Sequence, residues 1–519
     1  MDETADRTGD GIAAMILDMD GVVTDTAGAH FAAWKQTFDA LLEDRGPQAP
    51  FDREDYLKHV DGVPRHDGVR RFLASRDIDL PEGDRDDESL ETIHGLGNRK
   101  NARYRAWLDE NRAPVFDDAV ELLDRLKRAG IAIGVFSASR NARRVLESAE
   151  LSHLFDAVLD GSEAQEMGLS PKPDPDQPVE TAKRLGRDPS ETALVEDAIS
   201  GVEAGAAGGF ALVVGIDRQE DEGRHRHALR SAGADLVTRD LRRLLLPGGE
   251  GLRTLDRLPV VWDRLDEVEA RLDAGSPSVF LDFDGTLSPI VDDHREARIP
   301  EETRVAVARL AERCPVAVIS GRDLADVRAR VGIEDVIYAG DHGFDIAGPD
   351  GLEARPEAAE GFLGPLDDAE SDLRDALAGI EGAEVERKSF SITVHYRRAA
   401  EADVDGVEDA VDHAVARQDR LSKRRGRKVF ELRPRADWDK GSAVQWLLAN
   451  TPLGEGDPVA LYIGDDLTDE DAFGALSEAG LCLAVRGDRR ATLADCALAD
   501  PDDVRRFVDW LAERRTRER

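Results

Sequence analysis

Short, wholly apolar segments recur along this chain, separated by stretches whose apolar residues fall three and four positions apart. Between Asp117 and Arg128, the residues Ala119, Leu122, Leu123 and Leu126 share one helix face, and Gly130 supplies a stop. Residues 131–136 then predict a buried strand, and 193–195 and 211–214 repeat the pattern after further helical intervals. Such alternation predicts an α/β fold with a parallel, doubly wound sheet. Pro247-Gly248-Gly249-Glu250-Gly251 is the best linker candidate, and an amphipathic stretch follows it at 261–272. From Ser278 the alternation starts again, with strands expected at 316–319, 336–338 and 459–463. Two α/β units of related plan are therefore expected in tandem.

Composition narrows the class. Of 519 residues, 41% are hydrophobic and 34% charged, which suits folded domains rather than disorder. No apolar run approaches the roughly 20 residues of a membrane-spanning helix. The opening MDETADRTGD is acidic, unlike the basic-then-apolar start of an export signal, so a cytoplasmic location is expected. Cys314, Cys482 and Cys496 are widely spaced and suggest neither a disulfide frame nor zinc. A net charge of −39 argues against nucleic acid or anionic membrane as partners. The acids are spread along the chain rather than gathered in a tail, as in a solvated surface suited to high salt.

The chemistry lies in a signature that occurs twice. An apolar segment ends in Asp18-Met19-Asp20-Gly21, and another in Asp282-Phe283-Asp284-Gly285. Paired carboxylates where a buried strand meets a loop call for a cation or a reaction. In each half a hydroxyl follows a later strand, Ser137 in one and Ser320 in the other, and Gly321-Arg322 come next in the second half. A lysine precedes a helix, Lys172 or Lys440, and an acidic pair follows a strand, Glu196-Asp197 or Asp465-Asp466. Hydroxyl and backbone N–H groups can hold phosphate oxygens, the lysine can neutralise them, and hard carboxylates suit Mg²⁺. Lys172 to Asp197 and Lys440 to Asp465 are both 25 residues, whereas Asp18 to Ser137 is 119 and Asp282 to Ser320 is 38. Ser137 to Lys172 is 35, and Ser320 to Lys440 is 120. A core of constant size thus carries one insertion in each half, at different places.

These elements in this order resemble the haloacid-dehalogenase-like (HAD) phosphohydrolases. The resemblance implies Asp18 and Asp282 as nucleophiles, Asp20 and Asp284 as acid/bases that also offer a carbonyl to metal, and one Mg²⁺ per domain. The metal would be held by Asp18, Asp20, Glu196 and Asp197 in one half and by Asp282, Asp284 and Asp465 in the other. Asp466 and Asp469 are candidates to support that second metal site. The insertions are expected to be caps that close over substrate, about 28–113 and about 345–432, within domains at 1–248 and 276–519 joined by 249–275. The first cap reads as helical and the second as α/β.

LDFDGTLSPIV, VISGRDL, GDHGFDI, ITVHYR, KVFELRP, DWDKG and IGDDLTDEDAF make the second half similar to trehalose-6-phosphate phosphatases. That similarity implies substrate contacts from Arg322, His342, Asp345, His395, Arg427, Glu431 and Arg433. Asp345 and Arg427 stand where the family more often has glutamate and lysine. LDMDGVVTDTAGAHFAAW, VDGVPR, GNRKN, FSASRN, SPKPDP and VEDAISGVEAG make the first half similar to β-phosphoglucomutases and related phosphatases. There the similarity implies His30, Arg65 and Lys100 as substrate-facing groups, with Arg140 and Asn141 after the serine. The expected partners are small sugar phosphates. Another glycosyl phosphate such as sucrose 6-phosphate, and a first domain that binds without turnover, stay open as alternatives, as do mutase against hydrolase and the oligomeric state.

Overall fold

The computed structural model describes residues 11–517 except 44, 46–47, 61–62, 64, 220–222, 248–250, 292–293, 360, 427 and 477–479. The centre of the expected linker and Arg427 therefore lie outside the described residues. The chain divides into one unit of Met1–Glu220 with Ala228–Arg253, and another of Asp221–His227 with Thr254–Arg519.

In the first unit, β1 (Ala14–Asp18), β2 (Ala132–Phe136), β3 (Ala157–Leu159), β4 (Thr192–Glu196), β5 (Leu212–Ile216) and β6 (Leu236–Thr238) form one sheet. Their order is β3-β2-β1-β4-β5-β6, and every pairing is parallel. Strands covered on both faces need apolar residues throughout rather than in alternation, and β1, β4 and β5 are buried at every position. The helix Asp117–Arg128 forms as its periodicity predicts, burying Ala119, Leu122, Leu123 and Leu126. Gly130 follows it with a φ of 73°. Between β1 and this helix lies a helical insert: Ala27–Glu43, Arg53–His59, Arg65–Ser75 and Ile93–Glu110. Its own core includes Trp34, Phe38, Phe51 and Phe72, with the Phe38 and Phe72 rings 4.1 Å apart.

The second unit holds β7 (Ser276–Leu281), β8 (Val316–Ile319), β9 (Ile337–Gly340), β10 (Asp345–Ala347) and β11 (Glu353–Ala354). It continues through an insert with β12 (Glu384–Arg387), β13 (Ile392–His395), β14 (Leu421–Gly426) and β15 (Val429–Pro434), then β16 (Pro458–Gly464), β17 (Leu481–Val485) and β18 (Cys496–Leu498). The main sheet runs β11-β10-β9-β8-β7-β16-β17-β18, parallel except for β10 and β11. The insert is an antiparallel sheet, β12-β13-β15-β14, packed against the helices Leu363–Leu377 and Val404–Ala416. Along β15, Phe430, Leu432 and Pro434 are buried while Val429, Glu431 and Arg433 lie on the opposite face, as period-two alternation requires. The 261–272 stretch is a short 3₁₀ turn and the helix Leu265–Leu272, with Val261, Val268 and Leu272 in the core of this unit.

In each large sheet the first strand sits inside, flanked on both sides by later strands. Strand order reverses there, so a crevice opens at the carboxyl ends of β1 and β7. Asp18 ends β1, and Asp282 follows the last residue of β7.

Candidate active sites

The same backbone turn follows both strands. Gly21 N–H donates to the Thr24 carbonyl at 2.9 Å, and Gly285 N–H to the Ser288 carbonyl at 2.8 Å. Both glycines are left-handed, with φ of 87° and 79°. A Cβ on Gly21 would stand 2.0 Å from an Asp197 oxygen, and one on Gly285 2.0 Å from an Asp465 oxygen. Only glycine permits both the conformation and the close approach of the distant acid.

In the second unit this turn delivers Asp282 to a buried ion cluster. Lys440 Nζ donates to Asp282 Oδ1 at 2.7 Å and to Asp469 Oδ1 at 2.6 Å. All three side chains are buried. Lys440 opens the helix Lys440–Asn450, whose cap, Asp439, accepts the Ser442 N–H at 2.8 Å. Burial acts to lower the Lys440 pKa, but Asp282 and Asp469 outweigh it and hold the ammonium charged. Burial pushes Asp282 up, Lys440 opposes, and Asp469 and Asp465 add to the rise. Asp465 is pushed up to about 7 by burial and then by Asp469 and Asp466. Oxygens of Asp282, Asp465 and Asp469 lie within 4.8 Å of one another, a grouping found in this unit alone among the described residues. One lysine does not balance three gathered carboxylates, and hard oxygens crowded in this way fit a divalent cation.

The loop expected to hold phosphate lies beside them. Ser320 is buried, and its Oγ accepts the Arg322 N–H at 3.1 Å. His342 N–H donates to the Ser320 carbonyl at 2.9 Å, and its ring packs so closely on Gly321 that a Cβ there would sit 2.7 Å from it. Arg322 forks onto Asp284, at 2.7 and 2.6 Å, and reaches Asp326 at 3.1 Å. It thus grips the residue expected as acid/base. From the insert, Lys388 Nζ donates to the Gly321 carbonyl at 3.2 Å and lies 4.0 Å from Glu431, which pairs with Arg433 at 2.6 Å. His395 pairs with Glu386 at 2.7 Å, and Asp345 with Arg355 at 3.1 Å, so neither reaches the Asp282 cluster through these contacts.

Lys388, Tyr462 and Asp341 join the site without having been expected from the sequence. Lys388 is a cation two residues before Phe390, just ahead of β13. Tyr462 is the one polar tip in the apolar run 459–463. Asp341 is buried and left-handed, with φ 47°, and Ser391 Oγ donates to its Oδ1 at 3.4 Å, while among the described residues Oδ2 has no hydrogen-bond partner. Burial pushes its carboxyl up to about 7 despite Lys388, with Asp323 adding to the rise.

The first unit gathers a parallel set. Lys172 Nζ donates to Asp18 Oδ1 at 2.5 Å and also bonds Glu196. Glu196 is fully buried and takes the Ala198 N–H at 2.9 Å through its other oxygen. Burial raises Asp18 to about 7 against the pull of Lys172, with Glu196 adding to the rise, and raises Asp197 with help from Glu196 and Asp18. Asp20 is held by hydroxyls rather than by a cation: Thr26 bonds one oxygen, and Ser137 Oγ the other at 3.2 Å. From the helical insert, buried Lys100 meets His30 Nδ1 at 2.6 Å. Arg65 and Asn141 share Asn101 Oδ1, and Arg105 donates to Asn141 Oδ1 at 2.9 Å. Arg105 was not singled out in the sequence, where nothing sets it apart from neighbouring helix positions, and Asn101 entered only as the last residue of GNRKN.

Two buried clusters at the carboxyl ends of parallel strands, each an aspartate gripped by a lysine, fit a HAD-type enzyme class, and the comparisons agree. Residues 12–209 match the family model haloacid dehalogenase-like hydrolase, and residues 280–500 match the model Trehalose-phosphatase. A trehalose-phosphate phosphatase of Mycobacterium leprae is 39% identical over 410 residues, 76% of this chain and 92% of that protein. One from Mycobacterium marinum is 42% identical over 339 residues, 64% of this chain and 85% of that protein. The chain belongs to the trehalose-phosphatase family. It also matches an uncharacterized glycosyl hydrolase of Mycobacterium tuberculosis, 38% identical over 96% of this chain, and spans only 38% of the length of that relative. Among solved structures, the C-terminal domain of the Candida albicans trehalose-6-phosphate phosphatase aligns at 25% identity over 49% of this chain and 98% of that one, TM-score 0.42. A Clostridium difficile β-phosphoglucomutase aligns at 24% identity over 50% of this chain and 99% of that one, TM-score 0.37.

Proposed function

We propose that the second unit hydrolyses trehalose 6-phosphate to trehalose and phosphate by way of an aspartyl-phosphate on Asp282. The buried contact between Lys440 and Asp282 carries this reading, because it holds a carboxylate aimed at the crevice with a fixed cation beside it. Asp282 attacks phosphorus as Asp284 gives a proton to the departing sugar hydroxyl. Asp284 then takes a proton from water, which releases phosphate and restores Asp282. Ser320 and the N–H groups of its loop, with Lys440, stabilise charge on the phosphoryl oxygens. Asp282, Asp465 and the Asp284 carbonyl would hold Mg²⁺, which supplies further positive charge to those oxygens. Arg322 must loosen its grip before Asp284 can serve the sugar oxygen. The insert would act as a cap, with Lys388, Glu431 and Arg433 toward the sugar and Arg427 a further contact. A panel of trehalose 6-phosphate, sucrose 6-phosphate and other glycosyl phosphates, assayed with Mg²⁺, tests this. Preference for sucrose 6-phosphate would reassign the substrate while keeping the chemistry.

For the first unit we propose a second sugar-phosphate enzyme, mutase or phosphatase, with Asp18 as nucleophile, Asp20 as acid/base, and Glu196 and Asp197 toward Mg²⁺. The cations facing it favour turnover of an anionic substrate over a merely structural role. Among the described residues, Arg65, Arg105 and Arg140 bond the amides of Asn101, Asn141 and Gln165, and none pairs with a carboxylate. In a chain of net charge −39, arginines without acidic partners mark a place kept for an incoming anion. Burial brings Lys100 down to about 7, with Arg65 adding to the fall and Asp20 opposing it, so its charge and the unit's affinity for anions fall as pH rises through 7. β-Glucose 1-phosphate, with and without its bisphosphate, separates isomer formation from phosphate release. Neither product from the intact chain, with both absent equally in Asp18→Asn, would leave the unit a binding module.

A further inference from the structure

Behind the Asp282 cluster lies a group that the mechanism above does not use. Tyr462, on β16, is fully buried, and its hydroxyl donates to Asp469 Oδ1 at 2.7 Å. That oxygen also accepts Lys440 Nζ at 2.6 Å, and Lys440 continues to Asp282 at 2.7 Å. The other oxygen of Asp469 takes the Asp466 N–H at 2.9 Å. Tyrosine, aspartate, lysine and nucleophile therefore form one unbroken buried line. The Phe473 ring meets the Tyr462 ring edge-on at 5.7 Å and limits its tilt.

The first unit shows what the hydroxyl adds. Tyr462 stands opposite Phe280, two residues before Asp282. At the matching register, Leu194 stands opposite Ile16, two residues before Asp18. There the second carboxylate on the lysine is Glu196, at the end of the strand itself, and a backbone N–H fixes its free oxygen. Asp469 instead comes from the helix Asp469–Ala475, and one of its oxygens would face Lys440 alone without the tyrosine. A buried carboxylate oxygen with one cationic donor draws that donor toward itself, and a second donor lessens the pull.

We infer that Tyr462 is a positioning residue for the reaction of the second unit: its hydroxyl anchors Asp469 so that Lys440 keeps its reach to Asp282. This rests on the phosphatase reading given above. The test is Tyr462→Phe in the full chain, assayed with Mg²⁺ and trehalose 6-phosphate, alongside Asp469→Asn, the double variant and Asp282→Asn. Removing one buried hydrogen bond to a charged group should lower kcat about tenfold and leave KM within about twofold. In the Asp469→Asn background the same change should alter kcat by less than about twofold, because the hydroxyl acts through that carboxylate. A Tyr462→Phe variant with kcat within about twofold of the parent overturns the inference. So does a lowered melting temperature with unchanged kcat, or an undiminished loss when Tyr462→Phe is combined with Asp469→Asn. Full activity in Asp282→Asn would instead bring down the reading of the site on which the inference stands.

Discussion

In the first unit the buried lysine beside the strand-end aspartate shares its charge with a glutamate at the end of a strand, and in the second with an aspartate on the next helix. Aligned on Asp197 and Asp465, the two units have exchanged residues: Glu196 stands where the second has Gly464, and Gly201 where it has Asp469. Each glycine makes room for the acid at the other position. A Cβ on Gly201 would stand 2.0 Å from Glu196 Oε1, and one on Gly464 2.3 Å from the Asp469 carboxyl carbon. What the two units keep in common is a carboxylate beside the lysine, and either of two backbone positions can supply it. The two aspartates proposed as acid/bases differ as well. Asp20 is held by two neutral hydroxyls and Asp284 by an arginine fork, so under the proposed mechanism proton transfer in the second unit would require an ion pair to open.

The sharpest break of this comparison is to remove one proposed nucleophile at a time. Asp282→Asn should reduce release of phosphate from trehalose 6-phosphate by about four orders of magnitude, whereas Asp18→Asn should leave it within about twofold. Steady-state assays of the two purified variants check this. Next is the exchange of residues itself. Gly464→Glu alone drives a side chain into Asp469 and should cost about 1–3 kcal/mol of stability along with activity. Adding Asp469→Gly rebuilds the pattern of the first unit and should restore most of the lost stability, read by denaturant titration.

Metal should also act unequally. Burial and crowded carboxylates raise Asp282 and Asp465, so millimolar Mg²⁺ should lift the melting temperature of the second unit, and a chelator should return it. Calorimetry of the full chain with Asp465→Asn as control isolates that site. The smallest effect belongs to Asp341. Its folded pKa of about 7 lies above the ordinary 3.8, so the native state binds the extra proton between those values and stability falls as pH rises through that window. Asp341→Asn should match the parent near pH 4 and melt higher at pH 8, so equal melting temperatures at pH 8 would contradict it.

Much of this was legible in the sequence, for particular reasons. β1, β4 and β7 are short apolar runs because both of their faces are covered, and each leads into an acid at the same place. The order of aspartate, hydroxyl, lysine and acidic pair survives two different insertions because the strand ends bring those groups together however long the excursion. The partner of Lys440 was less legible. Within GDDLTDEDAF five of the ten residues are acidic, and spacing alone does not say which of them points inward. The structure exposes Asp466 and buries Asp469, Glu470 and Asp471. Arg322 was ambiguous for a similar reason: its pairing with Asp326 follows from helical spacing, whereas its fork onto Asp284 needs the third dimension.

The margins of both large sheets bear on how such a chain survives its own synthesis. Their outermost strands, β3, β6, β11 and β18, are at most three residues long. A border that short offers a neighbouring molecule too few free amide and carbonyl groups to template on. Two mainly parallel sheets slow to form can then coexist in one polypeptide without zipping into those of the next, so crowding during translation threatens their helical and loop surfaces more than their edges.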